Sequence, residues 1–82
     1  MPTIKAGRWR LVIIPGDHNP PHVHARRGTG GAAEVVFVLR AEGATAIRRR
    51  DRSLSDSDVR QAASLVVLHF KQLVTLWETF RP

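Results

Sequence analysis

The apolar positions of this chain change period along its length. In GRWRLVIIP, residues 7–15, they alternate and then run together. Trp9, Leu11 and Ile13 face one way, with Arg8, Arg10, Val12 and Ile14 opposite, which predicts a strand. Pro15-Gly16 is a strong turn signal that ends it. Residues 21–27 read as a second strand, with His22, His24 and Arg26 on the face opposite Val23 and Ala25. Gly28-Thr29-Gly30-Gly31 has the composition of a hairpin loop. The alternation is clearest in AAEVVFVLR, residues 32–40, where Ala33, Val35, Phe37 and Leu39 oppose Glu34, Val36, Val38 and Arg40. Glu42-Gly43 turns the chain, and residues 44–49 return as a short edge strand whose charges discourage further pairing.

Beyond residue 55 the period becomes helical. Ser55 with Asp58 three residues on makes a capping-box start, and Asp56 and Asp58 suit the positive end of a helix. At ~100° per residue, Val59, Ala63, Val66, Phe70, Leu73, Val74 and Trp77 gather on one face of a single helix over about 55–80. Arg60, Gln61, Ser64, Lys71, Gln72, Thr75, Glu78 and Thr79 fall on the other. Leu68 projects into the polar arc, where it is placed to touch a partner, and His69 lies on the flank of the apolar arc. The pattern predicts an α+β fold: a small antiparallel sheet of three or four strands within 7–50, packed against one long C-terminal helix.

Eighty-two residues suffice for one small domain, here 1–82, sharing a thin apolar layer between sheet and helix. With 43% hydrophobic and 24% charged residues, the composition is that of a globular protein. The absence of cysteine excludes disulfides, thiolate metal sites and a thiol nucleophile. The first ten residues carry no apolar run ahead of their charges, and no stretch has the length of an apolar membrane span. A cytoplasmic protein without membrane contact is the expectation. The net charge is +6, and eleven of the thirteen cations are arginine. Arginine binds phosphate with a planar fork, so that bias favours a polyanionic partner.

Candidate chemistry concentrates in GDHNPPHVHARR, residues 16–27, which holds three of the four histidines. Pro20 pushes Asn19 out of the helical region, and Pro20-Pro21 favours an extended, polyproline-like path into the second strand. His22 and His24 then share a side. A metal site would use this pair with His18 or Asp17 as third ligand, three protein donors and an open position being a catalytic zinc arrangement. The nearby arginines oppose a dication there. Alternatively, His22 and His24 act as acid and base on a phosphodiester, with arginine stabilising the developing charge. Structural hydrogen bonds that fix the turn, with Asp17 capping the amides after Gly16, are the third use of the same residues.

Residues 48–52, RRRDR, set Arg48, Arg49, Arg50 and Arg52 around one aspartate, and Arg26 and Arg27 follow the histidines. Such clusters can neutralise several phosphates of an RNA or DNA backbone, or simply be solvated. Aromatic residues for base stacking are scarce.

Asp17-His18-Asn19-Pro20-Pro21-His22-Val23-His24 resembles the signature of domain-of-unknown-function family 4160, a family of small bacterial proteins. His69, Leu73 and Trp77 match the H-x3-L-x3-W pattern of that family's C-terminal helix. With Gly28 and the strand after it, the resemblance covers most of the chain. Val23 stands where an aromatic is common, Arg27 where tyrosine often precedes the glycine, and Gln72 where glutamate often precedes the leucine. The resemblance implies a cytoplasmic protein encoded beside another small protein, in a toxin–antitoxin-like pair, and supplies no catalytic mechanism.

Together these features favour a basic, partner-binding module with nucleic-acid backbone contact. The partner is a small protein encoded nearby, and a homodimer is compatible. Leu68 and an outer sheet face bearing Val12, Ile14, Val36 and Val38 favour a protein interface. The alternatives are a hydrolase or nuclease using His22 and His24, and a binder of zinc or another divalent transition metal at His18, His22 and His24. His69 is expected to approach the histidine segment across the helix–sheet junction.

Overall fold

The structure, a computed structural model, describes residues 2–28, 33–40 and 43–80. Five strands form one antiparallel sheet in sequence order: β1 (Thr3–Ala6), β2 (Trp9–Val12), β3 (His22–Arg27), β4 (Glu34–Arg40) and β5 (Gly43–Arg50). Two helices follow, α1 (Asp56–Leu68) and α2 (Phe70–Phe80). The α+β architecture agrees with the sequence pattern, but it has one more strand than the upper expectation and two helices in place of one. The loop expected over 28–31 and the turn at Glu42-Gly43 fall mainly on 29–32 and 41–42, outside the described residues.

The unanticipated strand is β1. It is short, and only Ile4 of its side chains enters the core. Gly7, read above as strand, is instead the first residue of a two-residue turn that pairs Ala6 with Trp9. Its φ of +60° is the conformation that this position of a tight hairpin requires and that glycine adopts at little cost.

One face of the sheet supplies Trp9, Leu11, Val23, Ala25, Val35, Phe37 and Leu39 to the core. Leu54, Val59, Ala62, Val66, Leu73 and Trp77 close it from the helical layer. The buried stripe of α1 runs through Ala62, one residue from the expected Ala63, which is half-buried. Ser55 and Asp58 form the capping box. The helical pattern continues in phase across His69, yet φ −101° and ψ 18° there lie outside the helical basin, and its N–H is shared between the Leu65 and Val67 carbonyls. The preceding Val66-Val67 pair is β-branched and a poor helix former.

Asp58 ties α1 to the sheet, pairing with Arg8 Nη2 at 3.0 Å and Arg27 Nη1 at 2.8 Å. The Ser55 backbone N–H leads in holding its carboxyl below the ordinary 3.8; the Ser55 hydroxyl and the charges of Arg27 and Arg8 add to this, against some desolvation. A carboxyl lowered on folding stabilises fully above its unfolded value and loses that contribution as pH falls through the folded one. Thermal melts are therefore expected to show wild type losing stability on acidification below about pH 4. Asp58→Asn should melt several degrees lower at neutral pH and narrow its gap to wild type in acid; a gap independent of pH would refute the assignment.

Candidate metal and anion site

Pro15-Gly16 turns the chain, residues 19–20 bend it again, and the Asn19–Pro20 peptide bond is cis. The Gly16 N–H anchors the first turn by donating to Phe80 O at 3.2 Å, and Pro21 O accepts from the Leu39 N–H at 2.8 Å where the chain enters β3. Asp17 comes to lie against the start of β3. Its carboxylate does not cap the backbone after Gly16, as expected, but meets two imidazoles: Oδ2 is 2.9 Å from His22 Nε2 and 3.3 Å from His24 Nε2.

His22 is only 6% exposed. Its Nδ1 is 2.8 Å from Pro20 O. A carbonyl only accepts, so Nδ1 donates to it, and Nε2 is the ring nitrogen that faces Asp17. The ring also stands edge-on to His24 and tilted against Trp77, with centroids 5.2 Å apart in both cases. His24 Nδ1 is buried without a hydrogen bond and faces Glu34 Oε1 at 3.4 Å.

Glu34 joins the two halves of this face. It accepts from Arg26 Nε at 2.7 Å and from Arg49 Nη2. Burial pushes its carboxyl up, but Arg26, then His24 and Arg49, outweigh that and hold it below its ordinary value. The sheet register explains the meeting: Val12, His24, Val36 and Arg49 lie in one row across β2, β3, β4 and β5. Sequence reasoning missed Glu34 as a partner of His24, because only the β3–β4 register reveals it.

Asp17 Oδ2 and a ring nitrogen from each histidine all lie within 4.8 Å of one another. A tetrahedral centre with ligand bonds of about 2.0–2.1 Å needs donors about 3.4 Å apart; the His24 distance of 3.3 Å is close to that, and the His22 distance of 2.9 Å is shorter. A backbone carbonyl behind His22 and a carboxylate behind His24 are the usual supports of metal-bound imidazoles. His18 is exposed on the rim and stands outside this trio. All four, with Val36, Arg48 and Arg49, line a cleft of about 450 Å³.

The arginines expected to meet phosphate are mostly engaged by carboxylates. Arg26 and Arg49 pair with Glu34, Arg27 with Asp58, and Arg50 with Asp56 at 2.9 Å. Arg48 and Arg52 make no ion pair or side-chain hydrogen bond among the described residues. The expected approach of His69 to the histidines does not occur. Trp77 meets His22 instead, and His69 lies eight positions before Trp77, roughly 12 Å along a helix. The outer face is not an open apolar patch either, since Val12 and Val36 are buried.

No helix among the described residues is long and apolar enough to cross a membrane. No curated protein and no solved structure matches the chain. A family model described as Domain of unknown function (DUF4160) matches residues 9–78, covering both the histidine segment and the His69–Trp77 pattern, and the chain belongs to that family.

Proposed function

We propose that this protein binds a divalent transition metal, zinc being the best fit to the donors, through Asp17, His22 and His24, in a centre of the hydrolytic type. The observation that carries this is the convergence of both Nε2 atoms on one carboxylate oxygen while Nδ1 of His22 is committed to Pro20 O. With Nδ1 donating to Pro20 O, Nε2 is the ring nitrogen of His22 left to ligate a cation beside Asp17. Acid–base use of the histidines fits less well. His22 has both ring nitrogens engaged, and those of His24 face Asp17 and Glu34. The objection from neighbouring arginines is reduced, because Glu34 offsets part of the charge of Arg26 and Arg49.

Three protein donors leave coordination positions open, and a bound dication would supply Lewis-acid activation there. Metal content by mass spectrometry on tag-free protein tests the proposal. Near-stoichiometric zinc or a related metal is expected; metal-free protein that also fails to take up added zinc would sink it.

A second function, as the partner-binding member of a toxin–antitoxin-like pair, is favoured by one observation. Val67 and Leu68, adjacent at the end of α1, are 53% and 74% exposed. Leu68→Asp should leave stability within about 0.5 kcal/mol of wild type, as exposed substitutions do. It should weaken binding of the neighbouring gene's product at least tenfold by calorimetry. Unchanged affinity would remove this surface from consideration. Nucleic-acid backbone contact would rest on Arg48 and Arg52, the cations of the arginine run without a partner among the described residues.

A further inference from the structure

Arg48 and Arg49 are consecutive on a strand, so regular pleating would send them to opposite faces of the sheet. Both nevertheless line the histidine cleft. The β4–β5 register accounts for this. Val36 pairs with Arg49 and Phe37 with Ile47, which leaves Arg48 as the extra residue of a β-bulge. A bulge disturbs alternation and re-aims a side chain, and bulges concentrate beside functional sites. The two arginines so placed differ in state. Arg49 is spent on Glu34, whereas Arg48 has no ion pair or side-chain hydrogen bond among the described residues.

Building on the metal centre proposed above, we infer that the cleft binds a phosphate ester, with Arg48 clamping its anionic oxygens opposite Asp17, His22 and His24. The charge balance agrees. Among the described residues in and behind the cleft, Arg26, Arg48 and Arg49 stand against Asp17 and Glu34, leaving one positive charge before a dication is added. A tetrahedral oxyanion with two free oxygens can reach the centre with one and the guanidinium fork with another. The bulge thus delivers to the cleft a fork that has no partner among the described residues and keeps its neighbour as a structural support for Glu34.

Calorimetric titration of zinc-supplemented protein with phenyl phosphate and diphenyl phosphate, with benzoate as a carboxylate comparison, tests the assignment. Wild type should bind a phosphate ester and bind benzoate more weakly. Arg48→Ala should keep its zinc, read by mass spectrometry, while losing at least ~10-fold in ester affinity. Arg48→Lys should recover part of that loss, having the charge without the fork. Arg60→Ala, an exposed change of the same charge on α1, should leave affinity unaltered. Preference between the two esters tells a monoester from a diester ligand. Zinc-bound protein that binds no ester, binds benzoate equally, or is indifferent to Arg48→Ala overturns the assignment and leaves the metal centre standing. Failure to bind zinc overturns the metal centre, and the phosphate assignment with it.

Discussion

Replacing His22 and His24 together with alanine is expected to lower zinc affinity by more than ~100-fold, because even loss of an outer partner costs roughly 10–100-fold at such centres. The double variant removes both imidazoles from a trio whose donor atoms lie within 4.8 Å, leaving Asp17 as the sole remaining ligand. Metal content of the purified proteins and competitive titration against a chelator give the affinity ratio. Stability supplies an independent readout. A ligand that binds only the folded state at a hundred times its Kd stabilises by about 2.7 kcal/mol, so zinc should raise the melting temperature of wild type but not of the variant. His22 is buried against Trp77, and its removal also disturbs packing. His24→Ala alone and Glu34→Gln therefore serve as companions. The first removes a donor while leaving His22 and its Trp77 contact in place. The second takes the charge from the carboxylate behind His24 and should cost roughly 10–100-fold in affinity. Zinc binding that survives all three would show that the cluster is a network of structural hydrogen bonds.

Trp77→Ala is expected to destabilise the fold by about 3–5 kcal/mol, the usual cost of deleting a large buried aromatic. Small domains hold only about 5–15 kcal/mol in total, so this variant should sit near the limit of folding. At about 4–8 °C per kcal/mol for a chain of this size, the melting temperature should drop by at least about 12 °C. Trp77 is 3% exposed and belongs to the same core as Leu11, Phe37 and Leu73. It also backs the His22 ring, so loss of the indole removes a wall of the site as well as a core member. Trp77→Phe should cost less, since it keeps an aromatic body at the contact. Its zinc affinity separates a packing role from a positioning role. A stable Trp77→Phe protein with weakened zinc binding means that the indole orients His22. Equal affinity means that it only packs. A Trp77→Ala protein with unchanged melting temperature would contradict the core assignment outright.

The local periods of the chain carried most of the secondary structure. Alternation in GRWRLVIIP and AAEVVFVLR marked β2 and β4 with the correct inward faces, because a strand buried on one side must repeat every two residues. Ser55 and Asp58 marked the start of α1, since capping is a contact between near neighbours. β1 escaped notice because four residues with one core side chain give too short a period to recognise. The break at His69 was equally hidden, as the apolar stripe passes through it without losing phase.

The histidine segment was visible as chemistry before it was visible as geometry. Its composition identified His22 and His24 as a pair on one side of a strand, and their rings do stand side by side. What sequence alone could not provide was everything that depends on which strands are neighbours. The folding back of residues 15–20 brings Asp17 onto the pair, and the β3–β4 register puts Glu34 behind His24. Pairing across β4 and β5 spends Arg49 on Glu34, while the bulge between them carries Arg48 into the cleft. Periodicity is a property of a segment and survives in any fold that buries one of its faces. Register, and the choice of which carboxylate neutralises which arginine, are set only when distant segments share a sheet.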